Sequence, residues 1–189
     1  MLCGRSAARR GLLRGISAPY LQVRHRKLTF SLLELSKTDL EVLAASRIPA
    51  GLEWRVEPDS MPPAFVAIRA LELAAAGHSS PWATIFLIVN DDDSRILGGC
   101  GFKTAPKQGQ VEVGYGVATV AQGRGAATAA LHMLVRRAFV AGATEVLAEV
   151  APTNHASTRV VLKAGFKKVG SRVDKENEFV AQWARSSDA

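Results

Sequence analysis

Apolar residues recur along this chain with two periods, which sort it into helices and strands. In "PAFVAIRALELAAAG" they follow helical spacing, with Pro63 near the start and Gly77 just past the end. The stretch 125–141 repeats the pattern through Leu131, Leu134, Val135 and Ala138, and Gly142 ends it. "SKTDLEVLAASRI" predicts another helix, capped by Ser36 or Thr38, with Leu40, Leu43 and Ala44 at helical spacing. "NHASTRVVLKAGF" predicts one more, opened by Asn154, with Gly165 just beyond its end. Runs at 27–35, 81–91, 95–104, 110–117 and 145–152 predict strands. A closing hairpin is expected from 166–174 and 177–185 about "DKEN", and the proline-bearing segment 51–63 reads as a loop.

The element order is strand, two helices, three strands, helix, strand, helix, two strands. Short connections make 82–117 an antiparallel meander, which feeds a strand–helix–strand unit. The expected class is α/β (α+β): a mixed, mostly antiparallel sheet of about six to seven strands flanked by helices. A chain of 189 residues, 48% hydrophobic and 22% charged, suits one domain with a sizeable core. We expect that domain at 28–185, after a leader at 1–27 and before a tail at 186–189. No uninterrupted apolar run is long enough to span a bilayer.

The net charge of +7 is unevenly placed. Arg5, Arg9, Arg10, Arg14, Arg24, Arg26 and Lys27 fall in the leader, which has no acid, so the rest of the chain balances to neutrality. A nucleic-acid binder carries its basic patch on the fold, so no nucleic-acid partner is expected. The acid-free, Arg- and Ser-bearing leader is like an organelle transit peptide, or is a disordered tail or the product of an upstream start; we take the second group of readings, and a cytoplasmic protein. Cys3 and Cys100 offer neither a disulfide framework nor metal spacing, and Cys100 reads as a small buried hydrophobe. The scattered His25, His78 and His155 suggest no metal.

"VATVAQGRGAATAAL" carries the candidate chemistry. The first turn of a helix leaves N–H groups without partners, and its dipole adds about half a positive charge there. A phosphate fits if no side chains block it. Gly123, Gly125, Ala126 and Ala127 keep the approach clear, Arg124 adds charge, and Thr128 adds a hydroxyl. A dinucleotide fingerprint fails, because "GRGAAT" puts Thr128 at the third glycine and lies too far from Val117. A nucleotide P-loop would need Gly-Lys-Ser/Thr, which is absent. On this motif alone, phosphate binding and plain helix packing stand level.

The neighbours break the tie. "EVGYGV", "QGRGAATAAL" and "NHASTRVVLKAGF", in this order, resemble the GNAT N-acetyltransferase superfamily, most of all its ribosomal-protein alanine acetyltransferase (RimJ/RimL-like) branch. The resemblance implies acetyl-CoA as co-substrate, lying in a gap between splayed parallel strands that map to 111–117 and 145–150. It places the pyrophosphate on Gln122, Gly123, Arg124, Gly125, Ala126, Ala127 and Thr128, and the pantetheine along Val117, Thr119 and Asn154. An amide near Val117 would polarise the thioester carbonyl.

The reaction implied is attack by a neutral amine. An α-amine titrates at about 7.7–8.0 and needs little help, whereas a lysine at about 10.4 needs a base. Glu112 is the candidate base, acting through a water, and strand alternation puts it on one face with Gly114 and Gly116. The competing reading is a solvated strand residue. Asn154 and Ser157 read first as cap and first-turn residue. The resemblance adds pantetheine binding for Asn154 and a place near the sulfur for Ser157. Relatives often carry a tyrosine acid where this chain has Val161, so Ser157 is left as proton donor to the thiolate. Trp54 is a candidate for the acceptor pocket or a loop anchor, and Tyr115 and Phe166 read as core. The expected partners are acetyl-CoA and an amine, with no metal, no membrane, and a monomer or homodimer. The alternatives are a small-molecule (antibiotic or polyamine) N-acetyltransferase and a non-catalytic CoA-binding domain.

Overall fold

The computed structural model describes residues 29–174 and 177–187. The leader, part of the "DKEN" turn and the last two residues lie outside the described residues. The elements in chain order are β1 (Phe30–Glu34), α1 (Lys37–Ala44), α2 (Ala64–Ala75), β2 (Ile85–Asn90), β3 (Ile96–Phe102), β4 (Gln110–Val117), α3 (Ala126–Val140), β5 (Glu145–Val150), α4 (His155–Lys163), β6 (Lys167–Val173) and β7 (Phe179–Ser186). One seven-stranded sheet has the order β1-β2-β3-β4-β5-β7-β6. Its neighbours are antiparallel except β4 and β5, which are parallel. The expected fold class is therefore observed.

Alternation along β2 explains the layers. Phe86 and Ile88 join α3 residues Leu131, Leu134 and Val135 in one core cluster. Ile85, Leu87 and Val89 join Leu40, Leu43, Ala67 and Ala70 of α1 and α2 in the other. Both faces of β2 are thus covered, which is why its sequence is an unbroken apolar run. Burying each of these Leu, Ile, Val or Phe side chains contributes about 1.5–3 kcal/mol.

Two expected boundaries move for local reasons. Helix α1 stops at Ala44 because Ser46 takes φ 57 and the Arg47 amide donates back to the Val42 carbonyl at 3.1 Å. The 51–63 segment is not all loop: Glu53–Arg55 forms one helical turn, and Val56 bridges to Ile96. Pro62 then lies against Gly99, where a side chain would collide with it. The segment before α2 is thereby fixed over the sheet.

Candidate active site

The β4/β5 ladder has three pairs, Gln110↔Glu145, Val111↔Val146 and Glu112↔Leu147, and then stops. Beyond it each strand stays tied to its outer neighbour, β4 to β3 as far as Val117↔Gly98 and β5 to β7 as far as Val150↔Ala181. The sheet therefore forks at Glu112. The two strands are parallel, so the helices that follow them, α3 and α4, both begin at the open end of the fork.

Backbone parity decides which groups line the gap. The Lys103 amide donates to the Glu112 carbonyl and the Ala118 amide to the Leu97 carbonyl, so even-numbered residues of this stretch turn their backbone groups to β3. Val113, Tyr115 and Val117 consequently turn theirs towards β5: the Val113 amide ends the ladder, and the Val113 carbonyl and the groups of Tyr115 and Val117 open into the gap.

At the start of α3, Gly123 has φ 74 and Gly125 φ 91, conformations that favour glycine. A side chain at either would meet no protein atom within 4 Å, so the space before these amides is clear. No side chain caps α3, whereas α1 has a Ser36/Asp39 capping box and Asn154 caps α4. The amides of 123–128 find no protein acceptor among the described residues. Gln122 and Arg124 are exposed and Ala127 and Thr128 half-buried, while Ala126 is buried and offers its amide alone. These donors fit a diphosphate. Val117 and Thr119 lie between this cluster and the fork.

Asn154 Oδ1 accepts from the Ser157 amide at 2.9 Å, so the capping role is real. The cap uses only its oxygen and leaves the NH2 to donate elsewhere. Tyr115 does more than fill the core. Its hydroxyl donates to the Ser157 carbonyl at 3.4 Å, tying β4 to the first turn of α4 across the open end. Burial pushes this phenol above its ordinary 10.0, while the contact with Ser157 pulls it back. Val161 is fully buried.

On the opposite face, Glu112 is neither alone with its glycines nor simply solvated. Lys103 Nζ pairs with Glu112 Oε1 at 2.5 Å. The Lys103 stem lies over Gly114, with Cε 3.6 Å from where a side chain there would begin, so only Gly116 is bare. A second carboxylate shares this face: Glu149 takes a two-bond fork from Arg172 at 2.6 and 2.8 Å and a bond from Gln182 at 3.2 Å. The bond to Glu149, joined by the attraction of Glu149, Glu112 and Asp174, raises the Arg172 pKa. Sequence reading missed Lys103, Glu149 and Arg172. The parity of "EVLAEV" puts Glu149 on the face of Leu147, but only the ladder register shows that this is also the face of Glu112.

Two expectations separate in space. Val117 stands five residues beyond Glu112, about 16 Å along a strand. One carbonyl cannot sit at the Val117 amide and within a water of Glu112. The Val113 amide closes the ladder on the Leu147 carbonyl, so the first open gap-facing amide beyond Glu112 is that of Tyr115. Trp54 is 67% exposed and its carbonyl accepts from Arg95, at the Ile96 end of β3, whereas Glu112 adjoins the Lys103 end. The structure does not bring these two together.

Among the described residues no group of three or more His, Cys, Asp or Glu could hold a metal ion, and no helix is long and apolar enough to cross a membrane.

The fold and site thus combine a forked mixed sheet with an uncapped, glycine-lined helix start at its open end. The model of the acetyltransferase (GNAT) domain matches residues 30–167, and the chain belongs to the GNAT acetyltransferase family. None of the curated proteins matches the sequence. Among solved structures, the ribosomal-protein-S5-alanine acetyltransferase from Vibrio fischeri is 18% identical with TM-score 0.61, over 84% of this chain and 93% of that one. RimJ from Mycobacterium smegmatis, in complex with CoA-disulfide, is 20% identical with TM-score 0.60, over 84% and 82%. An aminoglycoside acetyltransferase in complex with coenzyme A is 15% identical with TM-score 0.59, over 85% and 96%. These likenesses establish the shared fold.

Proposed function

We propose that this acetyltransferase moves the acetyl group of acetyl-CoA to the α-amine of a protein N-terminus, as a member of the RimJ/RimL-like branch. The observation that carries the coenzyme part is the fork at Glu112↔Leu147 opening towards the free amides of 123–128. The diphosphate rests on those amides, with Arg124 and Thr128 beside it. The pantetheine follows Val117, Thr119 and Asn154 down the gap, and the thioester carbonyl meets the Tyr115 amide. The nitrogen attacks the carbonyl carbon while Glu112 takes its proton through a water. The C–S bond then breaks, and the Ser157 hydroxyl donates to the departing thiolate. A thiol pKa near 8.5 means that this donor has modest work to do.

The acceptor follows from charge. A polyamine or aminoglycoside calls for carboxylates free to pair with it. Glu112 and Glu149 are each already matched, by Lys103 and Arg172. An α-amine carries one charge and sheds its proton near neutral pH. The deciding experiment incubates the protein and labelled acetyl-CoA with cell extract, and separately with a peptide bearing a free N-terminus, spermidine or an aminoglycoside. Mass spectrometry should find the label on α-amines. Label on the polycations alone would overturn the acceptor assignment.

A further inference from the structure

At the end of α4 away from the fork lies a second cleft of about 300 Å³, lined by His132, Lys163, Ala164, Gly165, Lys167 and Arg185. Its charged lining is all basic. His132 comes from α3, Lys163 from α4, Lys167 from β6 and Arg185 from β7, so four separate elements converge. A helix dipole accounts for Lys163, which sits in the last turn of α4, but not for the other three. No carboxylate pairs with Lys163, Lys167 or Arg185 among the described residues. Arg185 is also fixed in place: its Nη1 donates to the Ala164 carbonyl at 2.6 Å, and its guanidinium lies 3.7 Å from where a side chain on Gly165 would begin. Like charges gathered without counter-charge repel one another, so the arrangement favours an anion between them.

We infer that this cleft is a site for a phosphate dianion. A dianionic phosphate offers several acceptor oxygens to a guanidinium fork and two ammonium groups. Spacing along α3 sets the relation to the first site. His132 follows Ala126 by six residues, about 9 Å of helix rise, so the cleft stands roughly that far below the amides of the fork. The phosphate is therefore either one carried by the coenzyme on its ribose, which rests on the functional reading above, or a free phosphate, which does not.

The test measures affinity for acetyl-CoA and for 3′-dephospho-acetyl-CoA by calorimetry, and thermal stabilisation by inorganic phosphate, for wild type, Lys163→Gln and His132→Gln. Both substituted side chains are exposed, so the fold is retained. If the coenzyme supplies the phosphate, wild type prefers acetyl-CoA by about tenfold or more, and Lys163→Gln erases most of that preference. If free phosphate is the ligand, inorganic phosphate raises the wild-type Tm and does so less in Lys163→Gln. Equal affinity for the two coenzymes together with no phosphate effect overturns the site. Loss of all coenzyme binding with the phosphate effect intact would instead overturn the functional reading and leave this site standing.

Discussion

Lys103 Nζ holds Glu112 Oε1 at 2.5 Å, and its stem crosses Gly114 to get there. The base proposed for the reaction thus rests against an ammonium at the point where β4 and β5 part. An incoming amine meets a carboxylate that is already oriented, with Gly116 as the open approach.

Glu112→Gln keeps the shape of this site and removes the proton acceptor. It should lower kcat/KM about 100-fold at pH 7. For an α-amine acceptor the deficit should shrink as pH rises through about 8, because the amine then arrives neutral. A deficit that persists unchanged to pH 9 would point to a lysine side chain as acceptor.

Lys103→Met removes the ammonium that fixes the Glu112 carboxylate and should lower kcat/KM by about tenfold while affinity for acetyl-CoA is unchanged. Wild-type kcat/KM in this variant would mean that the pair does not position the base.

Much of this site could be read from residue types. The small residues before α3, the cap at Asn154 and the strand parity of Glu112 are local properties, set by a few consecutive residues. What stayed hidden depends on register between distant segments. Lys103 belongs to a segment nine residues before Glu112, and Arg172 reaches Glu149 across β7. The same holds for Tyr115, whose ring reads as core while its hydroxyl reaches Ser157 42 positions away. Trp54 is the converse: its loop position suggested the acceptor site, and the Val56↔Ile96 bridge holds its segment at the other end of β3 from Glu112.

Ser157→Ala should lower kcat by about tenfold with KM for acetyl-CoA little changed, as expected for a hydroxyl that acts on the leaving thiolate. A matching loss in coenzyme affinity would assign Ser157 to binding instead.

Gly98 supports the open end of the fork, where β3 meets Val117. A side chain at Gly98 would collide with the backbone of Gly116. Gly98→Ala should cost about 3 kcal/mol, a fall in Tm on the order of 10 °C by calorimetry. A Tm within a degree or so of wild type would contradict the close approach of Gly98 to Gly116.

Cys100 is buried, and that burial pushes its thiol from 9.0 up to about 12 against the pull of Arg137. Its raised pKa contributes stability that is complete below pH 9 and is lost as pH climbs towards 12. In a Cys3→Ser background the native protein should resist an aromatic disulfide reagent at pH 8. Its stability should also fall more steeply above pH 9 than that of the same protein carrying Cys100→Ala. Rapid labelling of the folded chain would contradict the buried placement.

The central claim is that the amides of 123–128 hold the diphosphate of acetyl-CoA. A crystal structure with coenzyme A tests it most directly, beside a calorimetric titration of Gly125→Val, which forces a side chain into a φ of 91 at the mouth of α3. The account predicts phosphate oxygens within hydrogen-bond distance of these amides and at least tenfold weaker binding by the variant. Coenzyme bound elsewhere, with Gly125→Val binding as wild type does, would contradict it.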